Sequence, residues 1–164
     1  MKKVSVFLVF AFVGYTATAQ TILKQGTTGD CSWTLTSDSV LTISGKGAMP
    51  DFESAKDAPW YDYRAEIKAV VVENGVTSIG KNAFNHFTQM KSLNIGKSVE
   101  KIGEGAFYHC RSLKSVDIPK SVLSIERIAF SGCILLEEAR FPKDCTVGEA
   151  AFAGCKNLPL QEVR

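Results

Sequence analysis

The sequence predicts a solenoid: about four stacked coils of short parallel strands and short helical or 3₁₀ turns, fronted by a small cap made of a β-hairpin and a helix. Two observations predict it. An Ala-Phe pair recurs at Ala83-Phe84, Ala106-Phe107, Ala129-Phe130 and Ala151-Phe152, with the phenylalanines 23, 23 and 22 residues apart. Other apolar positions keep step: Ile79, Ile102, Ile125 and Val147 just ahead of each Phe, then Phe87, Cys110, Cys133 and Cys155 three residues after it. A period in the low twenties belongs to units that cannot bury an apolar face singly and so stack into one continuous core. The recurring letters are the inward positions of successive coils.

The chain opens with "MKK", an apolar run "VSVFLVFAFVGY" and the small-residue site Ala17-Thr18-Ala19. Residues 1–19 read as a cleaved secretory signal peptide. The alternative is a membrane anchor, but about a dozen apolar residues fall short of the roughly 20 that span a bilayer. Gln20 follows the site, where a lipoprotein would carry Cys. The expectation is export to periplasm, cell surface or medium, with no membrane span after cleavage. Cleavage removes Lys2 and Lys3, so 19 − 2 = 17 basic residues face 17 acidic ones. A formally neutral chain argues against nucleic acid and against electrostatic attachment to anionic membranes.

Residues 20–75 are the cap and first strand. "WTLTSDSVLTIS" alternates on both sides of Ser37-Asp38-Ser39, which predicts a hairpin with Trp33, Leu35, Leu41 and Ile43 facing inward. In "DAPWYDYRAEIK", Asp57 as N-cap and Pro59 in the first turn predict a helix with Trp60, Tyr63 and Ile67 on one face. The two tryptophans suit a plug over the first coil; the competing reading is an exposed platform for sugars.

Residues 76–164 carry the repeats. Leu93/Ile95 and Val116/Ile118 alternate as strand residues do. The segment Ala106-Phe107-x-x-Cys110-x-x-Leu113 has the three-residue spacing of a short helical or 3₁₀ turn. Phe84, Phe107, Phe130 and Phe152 form the core with Cys110, Cys133 and Cys155. The repeated unit, V-x-x-I-G-x-x-A-F-x-x-C-x-x-L-x-x-V-x-I-P-x-S-V, resembles the BspA-like leucine-rich repeat of Treponema-type surface proteins, and nearly four units span residues 76–158. The stretches "CSWTLTSDSVLTISGKGAM" and "APWYDYRAEIKAVVVENGVTSIG" resemble the N-terminal segment of the same proteins. Departures are Phe87 in the cysteine slot, Ile128 for a small polar residue and Cys145 for Val. The resemblance implies a leucine-rich-repeat solenoid and surface or secreted proteins that adhere to host matrix or other cells.

Candidate sites follow from this frame. No His-centred triad, paired-carboxylate motif, phosphate loop or metal-protease motif is present in the sequence, so a non-catalytic chain without cofactor is expected. Cys110, Cys133 and Cys155 share one inward offset, Cys145 takes the place of a core Val, and these read as buried free thiols, with one disulfide and a metal site as alternatives; Cys31 has no repeat partner. His86 and His109 also share an offset, but the next two units place Gly132 and Gly154 there, so no third metal ligand follows. The outward strand positions Ser92, Asn94, Ser115, Asp117, Glu138 and Arg140 form a face for a protein or glycan partner. Leu123, Ile128, Ile134 and Leu135 put apolar residues at offsets that are polar in other units, which predicts an interface. That patch, or an open C-terminal coil after Leu158-Pro159, gives the alternative of a structural, weakly self-associating solenoid. The ligand, cell attachment, oligomeric state and thiol redox state stay open.

Overall fold

The structure is a computed structural model that describes residues 20–159; the predicted signal peptide lies outside them. Three antiparallel strands begin it: β1 (Ile22–Thr28), β2 (Cys31–Thr36) and β3 (Val40–Gly45). The predicted hairpin is β2–β3, and Ser39 takes the turn with φ 67°. β1 extends it to a meander that the sequence reading did not contain.

From β3 onward the pairing is parallel, as coils require. β3 pairs with β5 (Ala69–Val72), and β5 with β7 (Ser92–Ile95), in the register Val70↔Leu93 and Val72↔Ile95. A second parallel sheet runs along another side: β4 (Gly47–Ala48), β6 (Val76–Ile79), β8 (Lys101–Ile102), β10 (Ser124–Ile125) and β12 (Thr146–Val147). There Ile79, Ile102, Ile125 and Val147 lie in register. The last two coils add β9 (Ser115–Asp117) and β11 (Glu138–Arg140), paired with each other. The ladder does not continue from β7 to β9, so the strand face is divided.

The phenylalanines form the column that the period predicts. Phe84, Phe107 and Phe130 are fully buried and Phe152 is 6% exposed. Their rings stack with centroids 5.3, 5.0 and 5.3 Å apart and planes 16° or less from parallel. Trp60 heads the column, stacked on Phe84 at 5.6 Å. Its indole Nε1 donates to the Ala83 carbonyl at 2.7 Å, which satisfies the one polar atom that this burial would orphan. Trp33 meets Trp60 edge-on at 6.1 Å and is itself buried. With both indoles inside, the plug reading holds and neither ring is offered to a sugar.

One helical expectation is corrected. The cap contains no helix beyond two single 3₁₀ turns, Ala55–Asp57 and Tyr61–Tyr63. Ser54, not Asp57, is the N-cap; Asp57 closes the capping box by accepting from the Ser54 backbone N–H at 2.9 Å. The residue before Pro59, Ala58, is extended at φ −69° and ψ 126°, which ends the turn. The Ala-Phe segments are the short turns that their spacing predicts, closed by bonds between residues three apart such as Ala83 N–H to Gly80 O and Phe87 N–H to Phe84 O. Each coil has two left-handed residues flanking its Phe: Asn82 and His86, Gly105 and His109, Ile128 and Gly132, Ala150 and Gly154, with φ between 50° and 74°. A helix cannot propagate through such residues. The turn amides instead bond to the next coil, as in Phe107 N–H to Ala129 O at 2.8 Å.

Candidate functional site

The strand face carries every binding residue expected from the sequence. Ser92 and Asn94 stand exposed on β7, Ser115 and Asp117 on β9, Arg140 on β11, with Glu138 half-buried. The pleat turns the alternate residues Ile95 and Val116 inward, 6% and 3% exposed. Register places Ser115 beside Glu138 and Asp117 beside Arg140. Arg140 spends its guanidinium on Glu138 at 2.6 Å along its own strand. That pair is largely solvated and contributes little stability.

Where the ladder opens between β7 and β9 the surface sinks into a groove of about 860 Å³. Ile95 and Ile118 lie against its floor, and Asn94, Lys97, Asp117 and Lys120 line it with polar groups. The groove thus gathers two of the six expected residues, Asn94 and Asp117; Ser92 and Ser115 precede it on the same strands. Lys97 and Lys120 were missed. Their signal is the recurring Lys-Ser-Val after each strand, Lys97-Ser98-Val99 and Lys120-Ser121-Val122. The serines fix these corners: Ser98 Oγ accepts from Gly75 N–H at 3.0 Å, and Ser121 Oγ donates to Val99 O at 2.7 Å. The corner backbone is held, which leaves the lysine side chains outside. An apolar floor with a carboxylate, an amide and two ammonium groups suits non-covalent capture of an extended polar chain.

The four apolar residues of the third coil are placed as follows. Leu123, just ahead of β10, is 64% exposed; Ile134 and Leu135, between the turns and β11, are 39% and 40% exposed; Ile128 is half-buried. Ile128 has φ 50°, a left-handed conformation disfavoured for a β-branched side chain.

The cysteines form a second internal ladder. Cys110, Cys133 and Cys155 each donate S–H to the carbonyl of a phenylalanine one coil back, Phe84, Phe107 and Phe130, at 3.3 Å in each case. All five cysteines are free and buried. Burial pushes the Cys110 thiol well above its ordinary value, and the Cys133 thiol, next to Cys155 in the ladder and itself buried, is raised as well. Such thiols are poor nucleophiles and act as small apolar side chains. Among the described residues no three His, Cys, Asp or Glu side chains group to hold a metal ion.

With this geometry in hand, a family model described as a BspA type leucine rich repeat region matches residues 59–163 in six copies. The match reaches back into the cap, where Trp60 already heads the aromatic column. Among solved structures, a leucine-rich repeat protein from Eubacterium ventriosum is 29% identical with a TM-score of 0.64, over 80% of this chain and 41% of that one. One from Bacteroides ovatus is 34% identical with a TM-score of 0.55, over 57% of this chain and 24% of that one. The chain therefore spans less than half the length of either. No functionally curated protein matches it.

Proposed function

Since the chain belongs to the BspA-type leucine-rich repeat family, we propose that it is a non-catalytic binding module, exported or displayed at the cell surface, that takes a protein or glycan along its strand face. The observation that carries this is the groove between β7 and β9, with Ile95 and Ile118 at its floor and Asn94, Lys97, Asp117 and Lys120 along it. The repeat supports the reading physically: buried apolar side chains, the aromatic column among them, fill the interior, so recognition falls to the outer skin. The test is a binding screen of the purified protein against matrix proteins and glycans, repeated with Asn94→Arg and Asp117→Arg. Capture that both variants abolish supports the groove. Capture that neither changes rejects it.

A second reading, self-association, rests on the exposure of Leu123, Ile134 and Leu135. Sedimentation at two concentrations separates the two. A concentration-dependent mass that Ile134→Lys with Leu135→Lys removes favours assembly, and an unchanged monomer dismisses it.

A further inference from the structure

Turns of adjacent coils gather His86, Tyr108, His109 and Arg111, and Arg64 lies near enough to bear on His86 through its charge. His86 and His109 occupy the same left-handed slot on adjacent coils, φ 63° and 59°, with ring centroids 5.0 Å apart. Their backbones are fixed by the next coil: His86 N–H donates to Tyr108 O and His109 N–H to Ser131 O, both at 2.8 Å. Tyr108 stacks on His109 at 4.0 Å and meets His86 edge-on at 5.6 Å. Arg111 approaches His109 Nδ1 at 3.4 Å. Arg64 lies over the Tyr61 ring at 3.9 Å and donates to the Tyr61 carbonyl at 3.1 Å.

The electrostatics of the cluster are one-sided. Among the described residues every ion pair lies elsewhere: Lys81–Glu53, Lys101–Glu126, Arg127–Glu104 and Arg140–Glu138. Neither Arg64 nor Arg111 has a carboxylate at that distance. The charged groups that bear on His86 are Arg111 and Arg64, and those on His109 are His86 and Arg111; no carboxylate is among them. Burial first, and these cations second, hold both imidazoles below the ordinary histidine value. Among the described residues neither guanidinium thus has a carboxylate partner at ion-pair distance, and the two imidazoles lie beside aromatic rings that offer apolar area.

We infer that this cluster is a binding site for an acidic polysaccharide, with sulfate or carboxylate groups on Arg64 and Arg111 and the sugar rings against His86 and Tyr108. Guanidinium forks match planar and tetrahedral oxyanions in a way that lysine does not. A lipid headgroup would call for aliphatic side chains that enter the bilayer, and the cluster has none. A nucleic acid would call for a broad basic face, and only two permanent cations lie here. Binding of an anion beside the imidazoles favours their protonation, so by linkage acidification favours binding. The site is separate from the β7–β9 groove, and its fate does not decide that reading.

The experiment is surface plasmon resonance on immobilised heparin, hyaluronate and neutral dextran. Expected is binding to one or both acidic polymers, none to dextran, and affinity that grows several-fold from about pH 7.5 to about pH 5.5 as the imidazoles charge. Arg64→Gln with Arg111→Gln should weaken it by about tenfold or more, as the loss of charge-assisted hydrogen bonds would. His86→Gly with His109→Gly should flatten the pH dependence. That variant keeps the fold, because Gly132 and Gly154 are what the repeat itself places in this slot, at φ 74° and 73°. No binding to either acidic polymer overturns the inference. So does binding that both variants leave intact, or that Lys97→Gln with Lys120→Gln abolishes instead. Equal capture on phosphatidylserine vesicles or single-stranded DNA, lost in the same arginine variant, overturns it too, since the site would then be a general polyanion surface.

Discussion

Phe107→Ala is the sharpest test of the column. Phe107 is fully buried and stacks on both sides, on Phe84 at 5.3 Å and on Phe130 at 5.0 Å. Deleting a buried phenylalanine ring costs about 3–5 kcal/mol, from lost transfer energy and the cavity left behind. Two stacked neighbours and a backbone pinned by the Phe107 N–H to Ala129 O bond leave little room to collapse, so the upper half of that range, about 4–5 kcal/mol, is expected. Against a total stability of about 5–15 kcal/mol this is a large fraction. In urea, with a slope of about 2 kcal/mol per molar, the unfolding midpoint should fall by about 2 M. Tryptophan fluorescence reports on the cap, through Trp33 and Trp60, and circular dichroism on the whole chain. Coincident, shifted transitions mean that the coils act as one unit; a split means that the break in the column uncouples them. A loss below about 1 kcal/mol would refute the reasoning, since no dry, stacked ring is removed so cheaply.

Three further outcomes are expected. Gly132→Ala places a Cβ 2.2 Å from His109 Cδ2 at φ 74°, so it should destabilise by about 1–3 kcal/mol, and His109→Gly in the same chain should recover part of that; independent effects in a double-mutant cycle of denaturation would contradict the contact. Ile128→Gly removes a β-branched side chain from φ 50°, and calorimetry should show an unfolding temperature raised by about 2–4 °C; an unchanged temperature would mean that the strain is absorbed elsewhere. Because both imidazoles sit below their ordinary value in the folded chain, unfolding takes up protons below the unfolded value of about 6.5. Stability should therefore decline as pH falls through that value toward the folded ones, and denaturation at stepped pH should show a shallower decline for His86→Gly with His109→Gly.

The groove and the cationic cluster were legible in the sequence to different degrees. Asn94 and Asp117 follow from strand alternation, and Lys97 and Lys120 were there to be found in the recurring Lys-Ser-Val. That a groove exists at all follows from the ladder opening between β7 and β9, which nothing in the letters Ser92–Ile95 or Ser115–Asp117 marks. Arg64, His86 and Arg111 are far apart in sequence, and only the stacking of coils brings both arginines within electrostatic reach of His86. β1 escaped notice because its burial does not alternate cleanly; Leu23 is 53% exposed, and the strand is held by its pairing with β2 across a bulge near Ile22 and Lys24. The turns stay single because of left-handed residues; Gly132 and Gly154 announce one such slot in the sequence, whereas Ile128 occupies the other with no residue preference to mark it.

The sequence by itself determined the coil. A period of 23, 23 and 22 residues with Phe, Ile and Cys at constant offsets can bury those side chains only by stacking them, and the rings do lie 5.0–5.3 Å apart. Tertiary structure decided what the coils leave outside: where the strand face parts, which cations meet without an acid, and which backbones turn left-handed. Burial is a property of each repeat's own pattern, so one unit predicts the next. Surface chemistry depends on which unlike residues the stacking sets side by side, and that is fixed only when the coils meet.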